Sequence, residues 1–313
     1  VTLAADADRA GVLGPWLERT PLLATLPRPT IVACSGGADS LALLALVASG
    51  SPATIAVHVD HGLRANSAAE ADVVRGAADQ LGVAMVGVRV DVAPGANLEA
   101  RARDARYQAL RAVAVSRGAH AIAVGHTADD QAETVLLNVM RGAATAGLGG
   151  MAPVRDDLYR PMLGLRRVDT EAICAELGFD PVHDPSNTDP AYLRNRIRHD
   201  LLPALSAASA RDLVPLLARQ ADVLRSEHTY LDALATASWP APDDPSPATP
   251  DVRPLRSLDP VLARRAVRAW LGSPPASLDD VDAVLAVARG ERVAVELAGR
   301  GRIARSAGRL HRS

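Results

Sequence analysis

Through its first half the chain alternates short apolar runs with longer stretches whose apolar residues recur at the helical period. The runs Thr30-Ile31-Val32-Ala33-Cys34, Thr54-Ile55-Ala56-Val57-His58-Val59, Val83 to Val90 and His120 to Val124 each read as a strand. Helical stretches lie between them: Leu41 to Ala48, a segment from an Asn66 N-cap to about Leu81, Asn97 to Arg117, and Asp129 to Arg141 before Gly142. A short amphipathic segment, Val12 to Leu23, precedes the first strand and ends at prolines. This alternation with short loops predicts an α/β fold, a Rossmann-like parallel sheet with helices on both faces. The functional loops of such a sheet lie at the carboxyl ends of its strands.

Past Gly150 the pattern becomes irregular. Arg160-Pro161-Met162-Leu163 predicts a loop, and Val168 to Leu177 a helix with Gly178 as its C-cap. The turn-rich Asp184-Pro185-Ser186-Asn187 leads into a helix from about Ala191 to Leu202, stopped at Pro203, and residues 206–238 read as one long helix. Pro240, Pro242, Pro245, Pro247 and Pro250 mark a linker. Beyond it come helices at Pro260 to Leu271 and from a cap-like Ser277, then two short strands, Val293 to Leu297 and Ile303 to Arg305. The expected organisation is a catalytic domain over 1–205, a connecting helix and Pro-rich linker over 206–249, and a small α+β domain over 250–313.

Three predicted strand ends carry polar chemistry. The first runs through Ser35-Gly36-Gly37-Ala38-Asp39-Ser40 into a helix. Two glycines permit a tight turn and close backbone approach, and a helix start offers unpaired N–H groups at the positive end of its dipole, so the segment suits a phosphate. Ser35 and Ser40 add hydroxyls, and Asp39 makes sense there mainly with a divalent cation between it and the phosphate. The second end is Asp60-His61-Gly62-Leu63-Arg64. The third, Gly125-His126-Thr127, opens a helix whose Asp130 and Glu133 share a face. Carboxylates in a first helical turn commonly just complement the dipole; a phosphate loop on the same sheet edge favours a magnesium or general-base role instead. His58 and His61 lack further ligands for a tetrahedral zinc site. Arg106 lies in a charge-dense helix, where it belongs either to solvated ion pairs or to an anion-binding fork. Arg194 and Arg198 share a helical face with Arg196 between them, as a surface patch or as contacts to a transition state or RNA phosphate. Cys34 reads as a small buried residue.

Composition narrows the field. The chain has 313 residues, 48% hydrophobic and 22% charged, and no apolar run of membrane-spanning length or basic-then-apolar leader is read, so a cytoplasmic protein is expected. Two distant cysteines exclude a disulfide scaffold and any four-cysteine zinc or iron–sulfur site. All 34 basic residues are arginine. Without lysine, neither a P-loop NTPase nor a Schiff-base enzyme is possible. The net charge of -2 is uneven: residues 250–313 carry 12 Arg against 7 Asp and Glu, or +5, which suggests a polyanionic partner.

Taken together, Ser35 to Ser40 resembles the signature of the PP-loop ATP pyrophosphatase superfamily. Val57 to Arg64, Gly125-His126 through Arg141-Gly142, Asp184 to Asn187, Arg194 to Arg198 and Leu201-Leu202-Pro203 narrow the likeness to the tRNA(Ile)-lysidine synthases, over roughly residues 28–205. The resemblance implies a ligase that uses ATP and magnesium to join free L-lysine to C2 of the wobble cytidine in the CAU anticodon of an isoleucine tRNA. It would proceed through an adenylated cytidine and release AMP and pyrophosphate. Carried over residue by residue, Ser35, Gly36, Gly37, Ala38, Asp39 and Ser40 would bind ATP, with Asp39 near magnesium. Asp130 and Glu133 would hold metal or the lysine ammonium, Arg106 and Arg198 would face anionic groups, and His126 would position ATP or move a proton. Arg64, Arg194 and Arg196 are the expected tRNA contacts, 250–313 a tRNA-binding domain, and a homodimer is admitted. The alternative is another PP-loop tRNA-modifying or amidating enzyme, but two cysteines do not supply a thiolase set and there is no room for a glutaminase domain. A degenerate RNA-binding module would have lost carboxylates at Asp39, Asp130 or Glu133, and all three are present.

Overall fold

The computed structural model describes residues 11–51, 53–60, 67–91, 95, 98–184, 188–240 and 248–313. Arg64, His61, Asn66, Asn97, Pro185 to Asn187 and the middle of the Pro-rich segment, all named above, lie outside the described residues. The chain divides into one unit ending at Asp222 and another running from Val223 to Ser313.

The first unit is built on a six-stranded sheet of order β3-β2-β1-β4-β6-β5. Its strands are β1 (Thr30–Ala33), β2 (Thr54–Asp60), β3 (Ala84–Arg89), β4 (Ala121–Ala123), β5 (Val154–Arg155) and β6 (Leu158–Tyr159). All neighbours are parallel except β5 on β6, so the predicted parallel α/β sheet is present. From β1 the chain moves outward through β2 to β3, then returns to place β4 on the other side of β1. That reversal makes the carboxyl ends of β1 and β4 a topological switch point, where a crevice opens. The β5–β6 hairpin escapes sequence reading because two-residue strands show no alternation; its turn holds Asp156 at φ 55°.

Helices cover both faces. On one side α1 (Ala38–Gly50), α2 (Ser67–Leu81) and α5 (Arg167–Glu176) pack together, and every residue of α1 from Ser40 to Val47 is buried. A helix enclosed on all sides has no polar stripe, which explains the run Leu41 to Val47. On the other side α3 (Leu98–Ser116) sets Leu110, Val113 and Ala114 against Ile31, Val57 and Ile122. After β4 comes α4 (Ala128–Met140), whose Ala128 and Ala132 pack with Ile197, Leu202 and Val214.

Two expectations are corrected. The helix of residue 191 onward does not stop at Pro203 but runs over Leu193–Ser209, widening to a π turn at Ile197–Leu201, where the Leu202 N–H reaches back to the Ile197 carbonyl. Pro203 has no N–H and its ring crowds the carbonyl four residues back, and the wider turn accommodates it. The single helix expected over 206–238 is broken at Ala210, φ 52°, and restarts as α6 (Leu213–Ser238). No single helix among the described residues is long and apolar enough to cross a membrane.

The second unit contains α7 (Pro260–Leu271), α8 (Leu278–Arg289) with a Ser277–Asp280 capping box, and an antiparallel sheet of three strands, not two: Ala294–Leu297, Gly301–Ser306 and Arg309–Arg312. The last strand was not legible because Leu310 is its one buried residue among charged neighbours. Its core holds Trp239, Val267, Val284, Leu285 and Ile303. Much of this unit's arginine serves its own backbone. Arg300 donates to the Leu271 carbonyl at 2.6 Å, Arg256 to Arg289 at 3.0 Å and Arg305 to Ala288 at 3.3 Å, so guanidinium groups cap the carboxyl ends of α7 and α8.

A close approach holds the crevice together. A Cβ on Gly125 would lie 2.9 Å from the Asp39 carbonyl oxygen and 3.3 Å from the Ser40 nitrogen. Gly125→Ala is therefore expected to destabilise the fold by about 1–3 kcal/mol in a denaturant melt. Gly76→Ala, in open space within α2, should raise stability by about 0.5–1 kcal/mol. Equal effects at the two positions would refute the packing argument.

Candidate functional site

At the switch point lies a cavity of about 990 Å³, lined by the β1 and β4 carboxyl ends, α1, α3 and α5. Its floor is the turn into α1. Gly36 has φ +88°, which favours glycine, and its carbonyl accepts from the Val182 N–H at 2.9 Å. Gly37 stands at the N-cap of α1 with no side chain capping the helix, so backbone donors and the positive dipole end meet at the cavity. The Ser40 hydroxyl donates to the Gly37 carbonyl at 2.8 Å and accepts from the Ser35 N–H at 3.1 Å. It braces the turn, whereas Ser35 is exposed.

Across the crevice, Thr127 caps α4 and forms a box with Asp130, whose Oδ2 accepts from the Thr127 N–H at 2.8 Å. The other Asp130 oxygen faces three arginines: Arg194 at 3.0 Å, Arg167 at 3.4 Å and Arg198 at 3.7 Å. Glu133, one helical turn on and fully buried, accepts from Arg194 Nε at 2.5 Å and Arg198 Nε at 2.6 Å. Arg167 also reaches Asp39 Oδ2 at 3.4 Å, and the Thr170 hydroxyl donates to Asp39 Oδ1 at 2.5 Å. Three carboxylates and three guanidinium groups from α1, α4, α5 and the Leu193–Ser209 stretch thus form one cluster of zero formal charge.

The electrostatics differ within it. Burial raises the Asp39 carboxyl above its ordinary range, and Arg167 and Thr170 only partly oppose this. Burial also acts to raise Asp130, but Arg194, Arg167 and His126 hold it below the usual carboxylate range. Burial holds the His126 imidazole at about 4, so the ring is neutral at ordinary pH. Burial lowers Arg106 as well; its guanidinium lies over the Tyr107 ring at 5.7 Å and has no carboxylate partner among the described residues. Burial pushes Cys34 to about 11 and Cys174 to about 12, so neither is a thiolate.

Of the residues singled out from sequence, Ser35, Gly37, Ala38, Asp39, Ser40, Arg106, His126, Asp130 and Arg198 line the cavity. Glu133 and Arg194 lie behind it in the charge cluster, and Arg196 is exposed and outside the cluster. Arg167 and Thr170 were missed. A signal existed: Arg166-Arg167 opens a helix, where the dipole disfavours cations. Arg166 resolves the conflict by pairing with Asp129 at 3.0 Å, and Arg167 by serving the cluster. No set of three or more metal-ligating His, Cys, Asp or Glu side chains is assembled among the described residues. Asp39 and Asp130 are the carboxylates of the cluster that line the cavity.

Comparison with known proteins gives a consistent result. The PP-loop domain family matches residues 21–205. A tRNA(Ile)-lysidine synthase of Salinispora arenicola is 44% identical over 309 residues, covering 92% of this chain and 92% of the relative. One of Streptomyces coelicolor is 38% identical over 309 residues, covering 94% and 87%. Among solved structures, the U34-tRNA thiolase NcsA from Methanococcus maripaludis shares the fold, with a TM-score of 0.51 and 18% identity over 63% of this chain and 72% of its own.

The two aspartates should respond oppositely to substitution. With a folded pKa below the unfolded value, Asp130 stabilises the fold above about pH 4, and this is lost as pH falls through the folded value. Asp130→Asn should flatten the acid limb of the stability profile. With its folded pKa raised, ionised Asp39 opposes folding at neutral pH. Asp39→Asn should melt higher than the parent at pH 7.5, and a lower melting temperature would contradict the burial argument. Arg167→Met should cost about 1–3 kcal/mol in a urea melt, because it removes the arginine that Asp39 faces, while Asp130 keeps Arg194 and Arg198.

Proposed function

The chain belongs to the tRNA(Ile)-lysidine synthase family, and on that premise we propose how its cavity divides the labour of the reaction. It is an ATP-using ligase that forms lysidine on an isoleucine tRNA. The finer reading is that the wobble cytidine O2 attacks the α-phosphorus of ATP and pyrophosphate leaves. The amine of free lysine then attacks C2, the C2–O bond breaks, AMP leaves, and the nitrogen gives up a proton. Cytidine O2 is a poor leaving group, and adenylation turns it into a good one.

The observation that carries this reading is the pairing of an uncapped helix start with the charge cluster across one crevice. Ser35 and the backbone from Gly36 to Asp39 would receive the phosphates, with Ser40 holding the turn in shape. Magnesium bound to ATP would neutralise charge on the departing pyrophosphate, and Asp39 is the residue proposed to face it. Arg198 and Arg106 would meet anionic groups of the reactants, the latter as a cation with no carboxylate of its own among the described residues. Asp130 lines the cavity and is the carboxylate proposed for the lysine ammonium. Glu133, its oxygens engaged by Arg194 and Arg198, would act by fixing those arginines. His126 lines the cavity, and because burial opposes a charge on its ring, its proposed role is to position ATP.

The second unit is proposed to bind tRNA through its charge. Arg253, Arg264 and Arg265 are paired with Asp251, Asp282 and Asp232, whereas arginines bound to backbone carbonyls keep their charge uncompensated. Arg289, Arg292 and Arg302 are exposed and are the residues proposed to meet phosphate. The proposed place of action is the cytoplasm, as expected of an enzyme that modifies tRNA.

Labelled lysine, Mg-ATP and an isoleucine tRNA bearing CAU should yield labelled tRNA; no transfer by folded protein would refute the reading. Asp130→Asn should abolish transfer while retaining tRNA in a filter assay, and parallel loss of both would make its role structural. Replacing Arg289, Arg292 and Arg302 together by Gln should lower the slope of log affinity against log salt by about 2. An unchanged slope would remove the second unit from the interface.

A further inference from the structure

His58 is left unused by this division of labour. It lies near the carboxyl end of β2 and is only 3% exposed. Ile55, Val57 and Val59 pack toward α3, and Ala56 packs with α1 and α2 on the other face. By the two-residue period of a strand, His58 shares the face of Ala56. There its Nδ1 lies 3.0 Å from the carbonyl oxygen of Cys34, the residue immediately before the phosphate-binding turn. A carbonyl only accepts, so Nδ1 carries the proton and the tautomer is fixed. Nε2 is buried without a hydrogen-bond partner among the described residues, yet the residue lines the cavity.

A buried polar atom in this position calls for a partner. With Nδ1 donating to the Cys34 carbonyl, Nε2 is left as the acceptor of the ring. Phosphate oxygens cannot satisfy an acceptor. On ATP the donors are the ribose hydroxyls and the purine amino group. His58 stands 22 residues beyond Gly36, close to the spacing of about 20 residues at which dinucleotide-binding folds place the ribose acceptor after their glycine turn. We infer that His58 Nε2 accepts a hydrogen bond from the nucleoside half of ATP, making His58 a nucleotide-selecting residue tethered to the strand that carries the phosphate turn. This deepens the ATP reading of the cavity and rests on it.

The test is nucleotide binding by calorimetry on the full chain, with magnesium and without tRNA or lysine. ATP is compared with 2′-deoxy-ATP, 3′-deoxy-ATP and the purine riboside triphosphate that lacks the amino group. One analogue should bind about three- to tenfold more weakly than ATP to the wild-type chain, the worth of one hydrogen bond; which one identifies the donor. His58→Asn keeps a donor for the Cys34 carbonyl but has no acceptor at the Nε2 position. It should lose the same factor on ATP and show no further loss with that analogue. His58→Gln can place an oxygen near the Nε2 position without the tether and should still discriminate, which keeps the test open should the Asn variant fail to fold. Equal binding of all four nucleotides by the wild-type chain would overturn the inference, as would a folded His58→Asn chain that discriminates like wild type. Failure of the wild-type chain to bind ATP at all would instead defeat the ATP reading itself.

Discussion

Buried charge has to be paired, and this requirement organises the first unit. Glu133 is fully enclosed and Asp130 nearly so, and an isolated carboxylate in either place would carry a desolvation penalty of several kcal/mol. Their partners arrive from sequence-distant elements: Arg167 at the start of α5, and Arg194 and Arg198 from the Leu193–Ser209 stretch. Because Arg167 extends the set to Asp39, the helix that follows the phosphate turn is tied to the helix that follows β4. Arg167 therefore bridges the two walls of the cavity, with helix-end donors on one and a neutral mixture of acids and arginines on the other.

Local pattern was enough for the sheet and its helices, because a strand between helices declares itself through apolar runs and caps. The turn Ser35 to Ser40, the helix start at Thr127 and the capping box at Ser277 were legible for the same reason: each is a short-range rule about backbone donors. What stayed hidden was pairing across distance. Nothing near Arg167 indicates that its partners are 37 and 128 residues away, although an arginine at a helix start, against the dipole, marked it as anomalous. Glu133 shows the converse. Spacing placed it beside Asp130 on one face, but only the structure shows its oxygens taken up by arginine, behind the cavity wall rather than on it.

The second unit qualifies any reading of charge from composition. Its surplus of arginine is real, yet several of these side chains terminate helices by donating to the last carbonyls, work that leaves the charge in place and the donors occupied. Such groups contribute a field more than specific contacts. Sequence counts the charge correctly and says nothing of which donors remain.

The π turn at Ile197–Leu201 sets a phase. Before it, Arg194 must meet the acids of α4; after it, Leu202 must pack on the apolar stripe of the same helix. A continuous α-helix advances about 100° per residue and would fix both requirements to one repeat. One wide turn acts as a single-residue insertion held within the helix, rotating everything that follows without breaking the rod. The chain can thus offer arginine and leucine in succession to one neighbour.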